Sequence, residues 1–148
     1  MDEKQFREMI QFAIGREIES INFYNQANKM VKHSGTKELF LDFVKQEEGH
    51  KKKLEGVLAG KVEVAKIEKV PNLKIADYLV DTELRPDISY ADILRIAMKR
   101  EERSVKLYTD LTEQNLDKNL GNLFTFLIQE ESKHKYYLEK LYDDEVLK

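Results

Sequence analysis

The chain contains no cysteine. Disulfides, thiolate metal sites, iron–sulfur clusters and cysteine nucleophiles are therefore excluded, and any bound metal must be held by nitrogen and oxygen. Glycine and proline are scarce, with six and two residues in a chain of 148. Charged residues make up 36% of the sequence, and leucine, isoleucine, lysine and glutamate are abundant. This composition favours long amphipathic helices over strands.

Long apolar runs are also missing. No segment approaches the ~20 apolar residues that a membrane span needs, and the charged residues among positions 1–7 interrupt the apolar stretch that a signal peptide would need. The net charge is only -3, and the basic residues are dispersed among acids, so no surface for nucleic acid or an anionic membrane is indicated. We expect a soluble cytoplasmic protein without nucleic-acid or membrane partners.

Apolar residues recur at steps of three and four along four stretches, which predicts four amphipathic helices. The expected helices cover about residues 3–31, 36–59 and 89–115, and a fourth runs from about 120 nearly to the C-terminus. Ser34 and Gly35 break the first pattern, and Gly60 offers a C-terminal cap for the second. Ser89, with Asp92 three residues later, resembles a capping box for the third.

The segment between the second and third helices, residues 61–88, lacks a sustained period and contains both prolines. A short helix is predicted at about 75–80. A helix of 25 residues is ~38 Å long, and this segment is long enough to run that distance. We therefore predict one domain, 1–148, with an all-α fold: a ferritin-like antiparallel four-helix bundle made of two hairpins joined by one long crossover.

The two predicted hairpins repeat each other. Sliding the sequence by 84 residues without a gap superposes the first helix on the third and the second on the fourth. We expect the two copies to pack about a pseudo-twofold axis. The matched pairs with the same residue type include Ala13 and Ala97, Arg16 and Arg100, Glu17 and Glu101, Ser20 and Ser104, Tyr24 and Tyr108, Glu47 and Glu131, His50 and His134, Lys51 and Lys135.

Each predicted helix carries an acid where its apolar stripe calls for a core residue. Four carboxylates in one core would be strongly destabilising through desolvation and repulsion unless cations balanced them. Two divalent ions would cancel the four charges. In both E-x-x-H motifs the spacing of three puts carboxylate and imidazole on one helix face. The predicted ligands are Glu17, Glu47, His50, Glu101, Glu131 and His134.

Four Glu and two His form the ligand pattern of di-iron and di-manganese bundles. Imidazole suits transition ions better than magnesium, and positions left open for oxygen chemistry favour iron, with manganese and zinc as alternative occupants. Tyr24 and Tyr108 lie two helical turns after Glu17 and Glu101. Their phenols either donate hydrogen bonds to the ligating carboxylates or simply fill the core.

Other residues near these motifs have plainer interpretations. A single E-x-x-H is weak evidence for a metal, but two copies on apolar stripes, each with an upstream Glu, are much stronger. His33 has no counterpart in the repeat and is interpreted as a surface residue. The acids that neighbour the ligands point about 100° away around the helix and are interpreted as surface residues as well. They are Glu48, Glu102 and Glu130.

With A-x-x-x-E in the first and third helices and E-x-x-H in the second and fourth, the sequence resembles the rubrerythrins of the ferritin-like superfamily over nearly its whole length. The resemblance implies a non-haem di-iron centre that reduces hydrogen peroxide with electrons from a rubredoxin-like domain. Two features depart from that pattern. The chain lacks the four cysteines of the rubredoxin-like iron site, and Ser104 stands where rubrerythrins carry an additional ligating Glu.

The leading hypothesis is an oxidoreductase that reduces peroxide or dioxygen at two iron ions, with electrons from a separate rubredoxin-like partner. An alternative is an iron-handling protein that oxidises or sequesters ferrous ions without a reductant. A third interpretation gives the metal only a structural role. By resemblance we expect a small homodimer, in which hairpins could be exchanged between chains.

Overall fold

The computed structural model describes residues 3–60, 70, 72, 76, 83–114, 116 and 118–147. They form four α-helices, and this part of the chain contains no strand. The predicted helix bounds agree to within about three residues. Most of the crossover predicted at 61–88, and the short helix predicted at 75–80 except for residue 76, lie outside the described residues. The helices are α1 (Glu3–Met30), α2 (Ser34–Leu58), α3 (Tyr90–Thr112) and α4 (Lys118–Glu145).

The chain divides into two compact units, Met1–Glu63 and Val64–Lys148. In the first unit α1 packs against α2. Asn28 Nδ2 donates to the carbonyl of Lys37 at 2.7 Å beside the turn, and Arg7 Nη1 donates to the carbonyl of Leu58 at 3.1 Å at the other end. Contacts between the start of one helix and the end of the other make this an antiparallel hairpin.

The ends of α2 follow local backbone rules. His33 is the N-cap residue, and its side chain makes no capping hydrogen bond, so α2 begins at Ser34, earlier than predicted. Gly60 has a φ of 81° and its N–H donates to the carbonyl of Val57 at 3.0 Å. Glycine adopts this left-handed conformation without steric cost, which confirms the C-terminal cap predicted from the sequence.

The second unit contains the other hairpin, in which α3 packs against α4. Ser89 caps α3 as predicted, because its Oγ accepts from the N–H of Asp92 at 3.1 Å. Arg95 Nε donates to the Tyr142 hydroxyl at 2.8 Å, which joins the start of α3 to the end of α4. The hydrogen bond with Asp92 raises the pKa of the Arg95 guanidinium further, although burial opposes the shift. Arg95 therefore stays charged in this contact.

Aromatic side chains occupy corresponding positions in the two hairpin cores. In the first unit Tyr24 contacts Phe40 and Phe43, with ring centroids 5.4 and 5.2 Å apart. In the second unit Tyr108 stacks on Phe124 at 6.2 Å. Both tyrosines are buried. Packing of this kind agrees with the interpretation of the two tyrosines as residues that fill the core.

Candidate metal centre

The first unit brings together Glu17 of α1 with Glu47 and His50 of α2. Nδ1 of His50 lies 3.0 Å from Oε1 of Glu47 and 3.7 Å from Oε2 of Glu17. All three residues are buried, with exposures of 2%, 0% and 2%. The contact between helices places Glu17 beside a motif that lies thirty residues later in the sequence.

The second unit repeats this arrangement with Glu101 of α3 and Glu131 and His134 of α4. Nδ1 of His134 lies 3.4 Å from Oε1 of Glu101 and 3.9 Å from Oε1 of Glu131. These residues are buried to the same degree. Each hairpin therefore contains a buried trio of two carboxylates and one imidazole.

The geometry of each trio fits one transition-metal ion. Within a trio, one possible ligand atom from each residue lies within 4.8 Å of the others. Around an octahedral ion with metal–ligand distances of about 2.1 Å, two adjacent ligand atoms lie about 3 Å apart and two opposite ones about 4 Å apart. The measured separations of 3.0–3.9 Å fall in that range, so small side-chain movements would suffice to admit an ion.

The charge of each trio also fits a divalent ion. Two ionised carboxylates carry two negative charges, and burial removes most of the water that would otherwise solvate them. A divalent cation would balance that charge, and an imidazole beside carboxylates suits iron, manganese or zinc. The assignment of the six residues as metal ligands stays a prediction.

The acids next to the predicted ligands have other contacts. Glu48 is exposed. Glu102 lies 3.2 Å from Lys99 Nζ, and Glu130 lies 3.5 Å from Lys133 Nζ. The structure thus agrees with the interpretation of Glu48 as a surface residue, whereas the side chains of Glu102 and Glu130 are only partly exposed, at 34% and 18%. His33 is exposed as well, in line with its interpretation from the sequence.

Ser104, which stands where the rubrerythrin pattern has an additional Glu, is buried with 7% exposure. Ser20, its counterpart in the repeat, is buried with 4% exposure. Each serine follows a predicted ligand by one helical turn, so the two hairpins are alike at this position also. The two trios therefore stay equivalent, and neither hairpin has an additional carboxylate at this position.

The rubrerythrin family model matches residues 8–142. The chain therefore belongs to the rubrerythrin family, and its fold class is the predicted all-α four-helix bundle. No curated protein matches the sequence.

Among solved structures, the chain is similar to CopM in the Cu(I)-bound form, with a TM-score of 0.64 and 13% sequence identity. The match covers 93% of this chain and 95% of the CopM chain. At this level of identity the likeness shows a shared fold only. Within the described residues, no helix is long and apolar enough to cross a membrane.

One polar cluster in the second unit was not identified from the sequence. Lys135 and Glu139 form a buried ion pair on α4, with Nζ and Oε2 separated by 3.1 Å. The repeat pairs Lys51 with Lys135, but it does not indicate that either lysine is buried. No signal in the sequence distinguishes this pair, because Lys51 and Glu55 have the same spacing on a helix with a core stripe and are exposed.

Proposed function

We propose that the two trios together hold two iron ions and that the protein reduces hydrogen peroxide, or dioxygen, with electrons from a separate donor. The observation that carries this proposal is the duplication of a buried trio of two Glu and one His. One such trio balances the charge of one ferrous ion. Two trios supply the four carboxylates and two imidazoles of a dinuclear carboxylate site, and membership of the rubrerythrin family supports the same assignment.

The residues of the chain provide the framework for this chemistry. Glu17, Glu47 and His50 would hold one ion, and Glu101, Glu131 and His134 would hold the other. Two bound ferrous ions, each losing one electron, would supply the two electrons that convert hydrogen peroxide and two protons into two molecules of water. Burial of the ligands limits the access of water and fixes their orientation before an ion binds.

The electrons must come from outside the residues described here. Since the chain has no cysteine, it cannot build the four-cysteine iron site of a rubredoxin. We therefore propose a separate rubredoxin-like protein as the donor and a homodimer as the functional assembly. Equilibrium sedimentation measures the assembly, and reduction of the oxidised protein by a purified rubredoxin measures the electron transfer.

Anaerobic reconstitution with ferrous iron tests the metal site. We expect about two iron ions per chain and about one or fewer after Glu47→Ala or His134→Ala, whereas Glu48→Ala serves as the matched control and keeps the wild-type content. Fewer than one iron per wild-type chain, with no further loss in Glu47→Ala or His134→Ala, would show that the six residues do not form the site.

The reaction is tested separately. The ferrous protein is mixed in stopped flow with hydrogen peroxide or with dioxygen, and turnover is then measured with a rubredoxin and its reductase. A peroxidase is expected to oxidise faster with peroxide and to consume reductant in proportion to peroxide. If the ferrous protein is oxidised once but does not turn over with the rubredoxin and its reductase, the alternative function is supported, which is oxidation or sequestration of ferrous iron. Assembly into a large cage would support that alternative further.

Copper is the competitor suggested by the solved structure, because CopM was observed with Cu(I). Cu(I) prefers thiolate and thioether ligands, whereas the buried donors here are carboxylates and imidazoles. We therefore expect ferrous iron to occupy the trios, and Cu(I) to leave the iron content unchanged in an anaerobic competition experiment. Displacement of iron by an equal concentration of Cu(I) would contradict this assignment.

A further inference from the structure

A cavity of about 380 Å³ lies in the second unit, beside α3 and α4. None of the six predicted metal ligands contributes to its wall. Its volume is in the lower part of the range of small-molecule sites, roughly 300–1,000 Å³. The described residues that line it include Val70, Asn72, Val105, Lys135 and Glu139.

The inner wall of this cavity contains the buried ion pair of Lys135 and Glu139. Oε2 of Glu139, which is fully buried, accepts from Lys135 Nζ and from the N–H of Ala76, both at 3.1 Å. The other carboxylate oxygen, Oε1, is buried and has no hydrogen-bond partner. Glu139 is also one of the residues that line the cavity. Because an unsatisfied buried carboxylate oxygen is costly, a ligand that donates a hydrogen bond to Oε1 would remove that cost.

The lysine offers the complementary group. An ammonium group has three donors, and the described contacts of Lys135 use two of them, on Asn72 Oδ1 at 2.8 Å and on Glu139 Oε2 at 3.1 Å. One donor therefore remains. The cavity thus presents a positively charged donor and a negatively charged acceptor from residues one helical turn apart.

The other charged residues described in the wall, Glu102, Lys106 and Asp110, are paired. Lys106 Nζ lies 3.1 Å from Asp110 Oδ2 at the exposed rim, and Glu102 lies 3.2 Å from Lys99 Nζ. A free anion would be repelled by Glu139 and a free cation by Lys135, so a simple ion gains little here. A molecule that carries both charges can satisfy both groups.

We propose that this cavity binds a small zwitterion of the α-amino acid type. Its carboxylate would accept from the Lys135 ammonium, and its ammonium would donate to Oε1 of Glu139. The apolar side chains of Val70 and Val105 in the same wall would contact the ligand's side chain. This site is independent of the proposed metal centre.

Isothermal titration calorimetry and NMR titration of the full chain with L-alanine and L-valine test the proposal. We expect binding at millimolar concentrations or below, and at least tenfold weaker binding of acetate or methylammonium, each of which makes only one of the two charged contacts. Glu139→Gln should weaken the binding of L-valine by about 10- to 100-fold, as expected for loss of a charged hydrogen bond. Glu55→Gln, at the corresponding exposed pair of the repeat, is the matched control and should leave binding unchanged.

Val105→Phe provides a second variant, since it fills the cavity and leaves the ion pair intact. Val105→Phe should abolish amino acid binding. The iron content of each variant is measured in parallel and should equal that of the wild type, so failure of this site is distinguished from failure of the metal centre. Absence of binding by both amino acids, or binding that neither Glu139→Gln nor Val105→Phe weakens, overturns the proposal.

Discussion

Nδ1 of His50 lies 3.0 Å from Oε1 of Glu47, in a pair whose side chains are almost completely buried. The separation is close to that expected for two neighbouring ligands on one ion. The backbone of α2 sets it, because residues three apart lie on the same helix face. The carboxylate of Glu17 is then added from another helix, and only packing of α1 on α2 can bring it there.

Metal binding should stabilise the protein. Each occupied site should add about 2.7 kcal/mol to the free energy of unfolding when free ferrous iron is about 100 times its Kd. Anaerobic urea unfolding, followed by circular dichroism with iron or with a chelator, measures the difference. Iron should raise the free energy of unfolding of the Glu48→Gln variant as it does that of the wild type. It should not raise that of the double variant Glu47→Gln, Glu131→Gln. Equal unfolding midpoints for the wild type with and without iron would rule out binding at these concentrations.

The ion pair of Lys135 and Glu139 differs in environment from its repeat counterpart, Lys51 and Glu55. The side chains of the first pair are 9% and 0% exposed at 3.1 Å, whereas those of the second are 35% and 51% exposed at 4.0 Å. Lys135→Met leaves a buried carboxylate without its cation and should cost about 3–5 kcal/mol. Lys51→Met should cost less than about 1 kcal/mol. Equal losses in thermal or urea unfolding would show that burial does not distinguish the two pairs.

The packing role of Tyr24 can be separated from any role of its hydroxyl. Tyr24→Phe keeps the ring contacts with Phe40 and Phe43 and should retain the wild-type iron content. Tyr24→Ala creates a cavity in the core and should lower the free energy of unfolding by about 3–5 kcal/mol. A change of more than about tenfold in the rate of oxidation by peroxide in Tyr24→Phe would instead show that the hydroxyl acts on the metal site, since about 1.4 kcal/mol corresponds to that factor.

Two glycines inside helices offer a test of backbone entropy. A Cβ built at Gly15 or Gly49 meets nothing within 4 Å, so alanine fits without strain. Gly15→Ala and Gly49→Ala should each raise the free energy of unfolding by about 0.5–1 kcal/mol. Gly60→Ala is the matched opposite case, because a φ of 81° is unfavourable for alanine, and it should lower stability by about 1 kcal/mol. A lower free energy of unfolding in Gly15→Ala would contradict this expectation and would show that a methyl group at position 15 disturbs the native structure.

Much of the fold was predictable because the determinants are local. The helix bounds follow from the apolar periodicity, Ser89 caps α3 through a hydrogen bond that spans three residues, and Gly60 ends α2 through its own backbone freedom. The difference at the start of α2 arises because Ser34 adopts helical geometry after an N-cap residue, His33, whose side chain makes no capping bond. The predictions for residues 61–69 and 77–82 fall outside the described part of the chain.

That the residues of each trio lie together was predictable for a similar reason. The spacing within α2 and α4 sets two of the three groups, and the ungapped repeat identifies the third in each hairpin. The distances within a trio were not predictable, since they depend on how closely α1 approaches α2 and α3 approaches α4.

The sequence by itself determined the helices, the repeat and the set of acids and histidines that share a core stripe, because each depends on the spacing of residues along a helix. The tertiary structure alone decided which of two equally spaced Lys-x-x-x-Glu pairs became a buried site. Residues 72 and 76 contact Lys135 and Glu139 from 63 positions away, and they turn an ordinary surface ion pair into the wall of a cavity. Burial of that kind depends on which part of the chain packs over a helix, and helical periodicity does not carry that information.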